Sequence, residues 1–528
     1  MALDRSGRAR RAPQKRENDY LMSSLRRNVL ANVSGRAWTS LIAIALTPIY
    51  VSMLGIEAYG LIGAFTVLQT VFVVFDLGLG LTLNRQLSAL SVAREANAQL
   101  MRDTVRTFER IYVVVGGIVS AALVLSAPLL SRAWFHTSEL STSDTTAAVA
   151  LMGIAIGLQW TSALYLGGLL GLERQVSANV ILSVSATVRG LGAVVVLHFV
   201  SPTIVAFFSW QLVVGGLQAL TLRVGLLRSL PTGRFRDQFR SSIFRTNARF
   251  ASALTGITVL GTLITQLDKV MLSTIVSLQE FGYYALATTV TSGLYVFVGP
   301  VFNAAFPRLV AAQLRGENVG QTYHRACQMA SVLLLPPAVA LVVFAPEALN
   351  GWLGESTRTE TMVWLVRTLA VGTTLNGLAN LPYALMLAAG WTRLPLVMNI
   401  IAVAALIPLL LLLSTRFGTM GGAMAWLIYN VAVVLVGIPV MHRRLLRGDA
   451  WRWYAVDVGA PLLGAFAAAI LVRVTISEPT SRPGMVLLFI AAVFASALGA
   501  WLFAPGRFSL IQAVAQAFGR GKRSTVKP

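Results

Sequence analysis

The sequence is short of charge and of chemically reactive residues. Only 12% of its 528 residues are Asp, Glu, Lys or Arg, and it has one cysteine, Cys327, and four histidines. A single cysteine excludes a disulfide within the chain. No GxxxxGK[ST] phosphate-binding loop, no metal-ligand spacing of His and Cys and no large polar domain is present. These absences argue against an ATPase, an integral glycosyltransferase or any other enzyme, and they predict no metal and no organic cofactor.

Apolar residues are abundant instead. They make up 56% of the chain, and the mean hydropathy is +0.70, which is outside the range of ordinary soluble proteins. Apolar runs of about 18 to 25 residues are long enough to cross a bilayer. They predict an all-α polytopic membrane protein with about 14 transmembrane helices. The predicted spans are 28–53, 61–83, 111–130, 147–170, 176–200, 203–222, 250–276, 282–306, 328–345, 361–388, 394–414, 419–441, 454–472 and 485–504.

Positive charge is unevenly distributed between the loops. The net charge of +22 would suggest nucleic acid as a partner of a soluble protein. With the N-terminus inside, however, the cytoplasmic segments hold 34 of the 43 Lys and Arg residues and the external segments hold 5. This asymmetry follows the positive-inside rule. It predicts that both termini are cytoplasmic, and it replaces nucleic acid with anionic membrane lipid as the partner of the basic segments.

Four sequence landmarks recur at nearly one spacing. Gly60 and Gly282 are 222 residues apart, and Arg85 and Arg308 are 223 apart. GLER at 171–174 and GWTR at 390–393 are 219 apart, as are the LLR motifs at 226–228 and 445–447. This self-similarity predicts a duplicated unit of about 220 residues. Because an even number of spans separates the matching elements, the two six-helix bundles are predicted to form a parallel repeat, with two extra C-terminal helices.

The repeat divides the chain into predicted segments. They are a basic cytoplasmic arm at 1–27, an N-lobe at 28–228, an amphipathic cytoplasmic linker at 229–245, a C-lobe at 246–447, spans 13 and 14 at 448–504, and a basic cytoplasmic tail at 505–528. The linker sequence RFRDQFRSSIFR spaces Phe235, Phe239 and Ile243 four residues apart. That spacing predicts a helix lying in the headgroup plane.

Charged side chains within spans are the candidate functional residues, because an ionisable group in hydrocarbon normally faces a bundle interior or a water-filled cavity. Arg36 and Asp76 have the same predicted depth on adjacent antiparallel spans. They either form a buried ion pair that holds the lobe together or line a polar cavity. Arg189 lies in the outer half of its span, where it is either paired across the bundle or faces a cavity.

Span seven is the most polar of the predicted spans. Its adjacent Asp268 and Lys269 point about 100° apart on a helix. We therefore expect that they do not neutralise each other face to face and that one of them faces the bundle. Asn303, between two prolines of span eight, is another polar candidate. Cations outnumber carboxylates among the candidates, which slightly favours an anionic substrate.

Two sequence runs and one longer segment resemble a known family. The runs are Pro48, Leu54, Gly55, Tyr59 and Gly60, and Asp76, Gly78, Leu79, Leu83 and Arg85; the segment is QLDKVMLSTIVSLQEFGYYALA at 266–287. In this order they resemble the polysaccharide-transporter (Wzx-type) branch of the multidrug/oligosaccharidyl-lipid/polysaccharide (MOP) flippase superfamily. The resemblance covers residues 28–447.

The resemblance implies a flippase in the bacterial inner membrane that moves an undecaprenyl-pyrophosphate-linked oligosaccharide, such as an O-antigen or exopolysaccharide unit, to the outer leaflet. Spans one, two, seven and eight would line a central cavity that opens alternately. Arg36 and Lys269 would hold pyrophosphate or acidic sugars, and Asp76 and Asp268 would carry a coupling proton or sodium ion. Polysaccharide polymerase or assembly proteins are implied partners.

Three other functions remain open. A lipid II flippase has the same fold and span count. A cation-coupled multidrug exporter would need an acidic or aromatic cavity. A non-transporting scaffold for polysaccharide assembly enzymes would not depend on the charges of Arg36 and Lys269.

Overall fold

The computed structural model of the chain describes residues 34–35, 37–72, 78–231, 238–240, 259–354, 359–391 and 393–505. These residues form helices joined by turns and short connections, and no strand occurs among them. The apolar runs explain the architecture, because a backbone in hydrocarbon must satisfy its N–H and C=O groups within its own segment. The predicted all-α membrane class is confirmed.

The described helices of the first half are α1 Ala37–Leu54, α2 Ile56–Phe72, α3 Leu79–Leu90, α4 Ala98–Ala133, α5 Thr142–Gly171, α6 Gln175–Phe199 and α7 Ile204–Arg228. Those of the second half are α8 at 259–275, α9 Leu278–Ser292, α10 Tyr295–Arg315, α11 Val319–Val343, α12 Ala345–Leu353, α13 Glu360–Ala388, α14 Arg393–Ala432, α15 Ile438–Leu445, α16 Ala450–Arg452, α17 Ala460–Thr475 and α18 Arg482–Phe503. A 3₁₀ turn, Ser91–Ala93, follows α3, and the segments Val433–Gly437 and Trp453–Gly459 are π-helical.

Ten helical stretches in the described residues are long and apolar enough to cross a membrane, so the predicted count of fourteen is not confirmed. The predicted span 61–83 falls on α2 and α3, since Gly78 has φ 68°, which a continuous helix does not contain. The predicted span 282–306 falls on α9 and α10, with a turn between them. The spans predicted at 394–414 and 419–441 correspond to the two parts of Arg393–Leu445, because the non-helical backbone of Gly418, with φ 55° and ψ −132°, divides this stretch into two helices.

The helices form two compact units. The first contains residues 1–55 and 68–259, and the second contains residues 56–67 and 260–528. The beginning of α2 therefore belongs to the second unit, although it precedes most of the first unit in the sequence. The lobe boundaries derived from the sequence repeat stay a prediction.

The core of the first unit lies among α3, α4, α5 and α7. Phe108 of α4, Leu164 of α5 and Leu222 of α7 are each fully buried in one apolar cluster. Helices α4 and α5 approach closely at two glycines, where a Cβ at Gly157 would lie 2.9 Å from the carbonyl oxygen of Gly116. Small residues at such crossings let helix backbones pack directly on one another.

The beginning of α4 holds the linker that follows α7. Buried Asp103 accepts the backbone N–H of Gln238 at 2.9 Å and lies 2.8 Å from Nε of Arg240. The backbone N–H of Arg240 donates to Thr107 at 3.0 Å. Residues 238–240 are thus held against α4 and are not helical, which corrects the predicted linker helix at this point. Its other hydrophobic positions, Phe235 and Ile243, lie outside the described residues.

In the second unit, α2 and α9 cross at Gly60 and Gly282. A Cβ at Gly60 would overlap the carbonyl oxygen of Leu278, and a Cβ at Gly282 would overlap the carbonyl oxygen of Ile56. The contact is symmetric, since Ile56 and Leu278 are separated by 222 residues, as are the two glycines. The spacing that predicted a repeat is therefore also the spacing of a local twofold-like helix crossing.

Helices α17 and α18 pack against α11 and α12 in the same unit. Gly464 and Gly499 let α17 and α18 approach until a Cβ on either glycine would overlap the carbonyl oxygen of the other. At one end of this pair, Arg473 forms ion pairs with Glu347 and, at 2.6 Å, with Glu478. Arg482 donates to the carbonyl oxygen of Leu353 at 2.8 Å at the same end.

Candidate functional site

Two of the predicted site residues, Arg36 and Asp76, lie outside the described residues. Their pairing and their place in a cavity stay predictions.

Arg189 lies half-buried on α6 and contacts α7. Its Nη2 donates to Oε1 of Gln218 at 2.9 Å, and its buried Nε makes no hydrogen bond to another described residue. The partner supplied by α7 is thus a neutral amide. A guanidinium in this setting keeps its charge, and its role in a cavity stays a prediction.

Asp268 is the most enclosed of the described candidates. It lies on α8 with 3% of its surface exposed, and its Oδ2 accepts the hydroxyl of Tyr284 on α9 at 2.5 Å. A buried carboxylate needs hydrogen-bond donors and a counter-charge, because burial removes its solvation by water. Tyr284, itself fully buried, supplies the donor.

Lys269 supplies the counter-charge, which corrects the expectation that these neighbours do not neutralise each other. The long lysine side chain folds back along α8 and places Nζ 3.3 Å from Oδ1 and 3.5 Å from Oδ2 of Asp268. It also donates to the carbonyl oxygen of Thr265 at 2.9 Å. Both distances to the carboxylate are longer than a strong charge-assisted bond of about 2.7 to 2.9 Å. The lysine side chain is 23% exposed, so its amine is loosely held and can be reached by a ligand.

A chain of uncharged polar groups links α10, α13 and α14 in the same unit. The hydroxyl of Tyr295 donates to Oδ1 of Asn376 at 2.9 Å, and Nδ2 of Asn376 donates to Oδ1 of Asn430 at 2.9 Å. Nδ2 of Asn430 donates to the carbonyl oxygen of Trp426 at 2.8 Å. The network fixes the orientation of Asn376, because its amide oxygen accepts and its amide nitrogen donates.

A cavity of ≈170 Å³ opens beside this chain. It is lined by polar but uncharged side chains, by apolar side chains and by the first π-helical segment: Asn376, Asn380, Asn399, Tyr383, Tyr429, Ala379, Pro382, Met386, Pro395, Met398, Val433, Gly437 and Ile438. Asn399, Tyr383 and Tyr429 make no side-chain hydrogen bond to another described residue and are half-buried. Amides and tyrosines with free hydrogen-bonding groups suit a neutral ligand that carries several hydroxyls. We refer to this space as the asparagine cavity.

The cavity adjoins the helix that carries Asp268. Tyr429, which lines the cavity, and Leu267 and Met271 of α8 pack against the same buried apolar cluster. The charged pair and the asparagine cavity therefore belong to neighbouring helices of one unit, and together they offer an amine and uncharged hydrogen-bonding groups.

Sequence analysis did not predict this cavity. Asn376 and Asn380 are four residues apart within an apolar run, so they share a helix face, and this spacing is the one signal that could have been used. The π-helical segment has no comparable signature, although such segments occur often at functional sites.

The last candidate, Asn303, lies on an exposed face of α10 between Pro300 and Pro307. It makes no hydrogen bond to another described residue. The part of the chain that the structure describes contains no group of three or more His, Cys, Asp and Glu side chains that could hold a metal ion.

Comparison with known proteins gives three findings. Residues 51–359 match the profile of a family described as "Polysaccharide biosynthesis protein". A Shigella flexneri protein assigned as an O-antigen transporter is 20% identical over 414 residues, which cover 78% of this chain and 96% of that protein.

The fold is also found in solved transporters. The lipid II flippase MurJ, in an inward closed conformation, superposes with a TM-score of 0.69 at 12% identity and covers 92% of this chain and 99% of its own. An inward-facing multidrug resistance MATE transporter of the MOP superfamily superposes with a TM-score of 0.62 at 14% identity over 79% of this chain and 94% of its own. Together with the apolar helices, these findings identify a multi-pass membrane protein with the MOP-superfamily fold.

Proposed function

Since the chain belongs to the family described as "Polysaccharide biosynthesis protein" and is similar to a Shigella flexneri protein named "Putative O-antigen transporter", we propose that it is a flippase for an undecaprenyl-pyrophosphate-linked oligosaccharide. It would carry this lipid from the cytoplasmic to the outer leaflet of the bacterial inner membrane. The observation that carries the proposal is the pairing of a loosely held amine, Lys269, with an uncharged asparagine cavity on neighbouring helices.

Lys269 is the proposed contact for the diphosphate. Its Nζ is held by one carbonyl oxygen at 2.9 Å and by a carboxylate at 3.3 Å, and a diphosphate oxygen can replace the longer contact. An ammonium interacts strongly with phosphate where water is scarce. Asp268 would remain bound to Tyr284 during this exchange.

The asparagine cavity is the proposed contact for the sugars. Sugar hydroxyls both donate and accept hydrogen bonds, and amide side chains do the same. The cavity residues carry no formal charge, so they suit a neutral sugar and do not attract or repel ions. Aromatic rings such as those of Tyr383 and Tyr429 add apolar surface for the faces of sugar rings.

Transport would follow alternating access driven by an ion gradient or the membrane potential. Among the described residues, Asp268 is the proposed carrier of a coupling proton or sodium ion. Its carboxylate is buried and only weakly paired with Lys269. Asp76 would be its counterpart in the first unit, and Arg36, Arg189 and Asn303 further substrate contacts. The charge asymmetry of the loops supports cytoplasmic termini, and polysaccharide assembly proteins are the proposed partners.

A lipid II flippase is the second candidate. Similarity to MurJ covers 92% of this chain, more than the 79% covered by similarity to the MATE transporter. A multidrug exporter has weaker support, since the asparagine cavity has no acidic residue to attract an organic cation.

The test is lipid analysis of a strain depleted of this protein. Mass spectrometry of polyprenyl-pyrophosphate species is combined with an assay of which leaflet they occupy. Accumulation of a lipid-linked oligosaccharide in the cytoplasmic leaflet is the expected result. If these lipids are unchanged while peptidoglycan precursors accumulate or drugs are retained, the glycan assignment is wrong and the corresponding alternative replaces it.

A further inference from the structure

A histidine and two carboxylates meet where α17 begins, away from the candidate site described above. His324 lies near the start of α11 and is 1% exposed. Asp457 belongs to the π-helical segment Trp453–Gly459, which leads into α17, and is fully buried. Asp449 precedes α16 and is partly exposed. His324, Asp449 and Asp457 all lie at the end of the second unit's helices that is predicted to be cytoplasmic.

The two imidazole nitrogens face different carboxylates. Nδ1 of His324 is hydrogen-bonded to Oδ2 of Asp457. Nε2 lies 3.4 Å from Oδ2 of Asp449 and makes no hydrogen bond to another described residue. The second oxygen of Asp457, Oδ1, accepts Nε2 of Gln328 at 2.9 Å. The only cation that contacts buried Asp457 among the described residues is therefore His324, and only when it is protonated.

The protonation state follows from the number of donors that the site needs. A neutral imidazole has one N–H, so one nitrogen would present a buried lone pair to a carboxylate. An imidazolium donates from both nitrogens and also compensates the buried charge of Asp457, whose solvation by water has been lost. The geometry thus offers an acceptor to each N–H of an imidazolium.

The surrounding titratable groups do not replace that proton. Nδ1 of His442 on α15 lies 2.9 Å from the carbonyl oxygen of Ile438 and therefore carries a hydrogen, and Nε2 lies 3.4 Å from the hydroxyl of Tyr323. His442 thus has its own partners and does not contact Asp457. Cys327 on α11 is buried nearby, and Tyr454 on the π-helical segment donates to the carbonyl oxygen of Val434 at 2.5 Å. The basic residues of these elements have exposed side chains: Arg325, Arg443, Arg444, Arg447 and Arg452.

We propose that His324, Asp457 and Asp449 form a proton-binding site that fastens the beginning of α17 to α11. With the proton bound, the imidazolium bridges both carboxylates. Without it, Asp457 keeps two neutral donors, one N–H of His324 and the amide of Gln328, but no counter-charge, and Nε2 no longer has a hydrogen for Asp449. The π-helical segment is then less firmly held. Attachment of this end of α17 is therefore strongest at low pH and weakens as the pH rises.

The other end of the helix pair provides an internal contrast. There Arg473 pairs with Glu347 and Glu478, and Arg482 binds the carbonyl oxygen of Leu353. A guanidinium does not lose its proton at any pH at which the protein functions. We therefore expect only the end of α17 that carries Asp457 to respond to pH. This inference is independent of what the protein transports.

The test is hydrogen–deuterium exchange of the full-length protein in lipid nanodiscs at several pH values between 6 and 9, corrected for intrinsic exchange rates. Corrected exchange of residues 450–459 should rise about tenfold across this range, whereas residues 473–484 should not change. Equal changes at both ends, or no change in residues 450–459, would overturn the proposal.

Two variants separate the proton site from a general effect of pH. Asp457→Asn removes the buried charge and keeps the shape, so exchange of residues 450–459 should become independent of pH. His324→Gln should remove the pH dependence and leave this segment exchanging rapidly at pH 6. Unaltered pH dependence in either variant would assign the effect to another group and overturn the proposal. His136→Gln and His198→Gln, which alter the histidines outside this site, should behave like the natural sequence.

Discussion

Each unit buries a carboxylate beside a tyrosine hydroxyl, but the two carboxylates are compensated very differently. In the first unit, one carboxylate oxygen of Glu109 accepts hydrogen bonds from Nε of Arg223 at 2.6 Å and from the hydroxyl of Tyr165 at 2.9 Å. Its other oxygen accepts a hydrogen bond from Nη1 of Arg106 at 2.7 Å. In the second unit, Asp268 has a single strong donor, Tyr284, and a lysine amine at 3.3 Å.

The difference indicates what each cluster does. Both oxygens of Glu109 are bound by guanidinium groups at 2.6 and 2.7 Å, and with the hydroxyl of Tyr165 these contacts connect α4 with α5 and α7. At Asp268 the amine of Lys269 makes only a long contact to the carboxylate, at 3.3 Å, so a ligand can replace this contact. We therefore assign the first cluster to stability and the second to transport, and this division gives four predictions.

The largest effect is expected for Glu109→Gln. Neutralising this carboxylate leaves two guanidinium groups without their counter-charge, and it should lower the free energy of unfolding by about 2 kcal/mol. The side chains of Arg106 and Arg223 are each 38% exposed, so water limits the loss. Thermal unfolding of the purified protein measures it, with the exposed Glu95→Gln as the matched control. A variant of normal stability that fails to transport would reverse the assignment of this cluster.

Lys269→Gln should reduce transport about tenfold, which corresponds to one lost hydrogen bond to a charged group. Its unfolding temperature should fall less than that of Glu109→Gln, because the lost contact to Asp268 is long, at 3.3 Å, and Tyr284 continues to donate to the carboxylate. Lys269→Arg retains the charge and should restore most of the activity. Transport is measured in vesicles with equal amounts of each protein. Full activity of the glutamine variant would show that the amine does not contact the substrate.

Asp268→Asn should reduce gradient-driven transport about fivefold, the lower range of ordinary coupling energies, while exchange without a gradient continues. The amide can still accept the hydroxyl of Tyr284, so the local packing is retained, but the carboxylate proposed to bind the coupling ion is lost. Comparing transport with and without an imposed ion gradient measures this effect. The exposed Glu317→Gln is the control, and equal losses under both conditions would remove Asp268 from ion coupling.

The smallest effect is expected for Arg106→Gln. Arg223 and Tyr165 continue to bind one oxygen of Glu109, and Arg106 is partly exposed, so the loss should stay below about 1 kcal/mol. Thermal unfolding again provides the measurement. A loss as large as that of Glu109→Gln would mean that the three donors act as one cooperative network rather than as separate contacts.

The sequence predicted the helical class and the position of most helices, because a long apolar run in a membrane has few alternatives to a helix. It did not predict the breaks within the second and eighth predicted spans. Gly78 separates α2 from α3 through its φ angle, and glycine is common in continuous membrane helices as well. Hydropathy therefore could not distinguish this glycine from those at close helix crossings, such as Gly157.

Candidate residues were found where a charge interrupts an apolar run, as with Asp268, Lys269 and Arg189. The contact between the amine of Lys269 and the carboxylate of Asp268 was not predicted. Helix geometry fixes the direction in which a side chain leaves the backbone, but it does not fix where the end of a flexible four-carbon side chain lies. The asparagine cavity and the proton-binding site were missed for another reason. His324 and Asp457 are 133 residues apart, and only the packing of α17 on α11 brings them together.

The most direct test of the division between the two clusters is a leaflet-accessibility assay on reconstituted protein. Liposomes containing the purified natural protein, Lys269→Gln or Lys269→Arg are loaded with a polyprenyl-pyrophosphate-linked oligosaccharide, and its movement between leaflets is followed. The account predicts rapid movement with the natural protein and the arginine variant and about tenfold slower movement with the glutamine variant. Equal rates for the natural protein and Lys269→Gln, at equal stability, would contradict it.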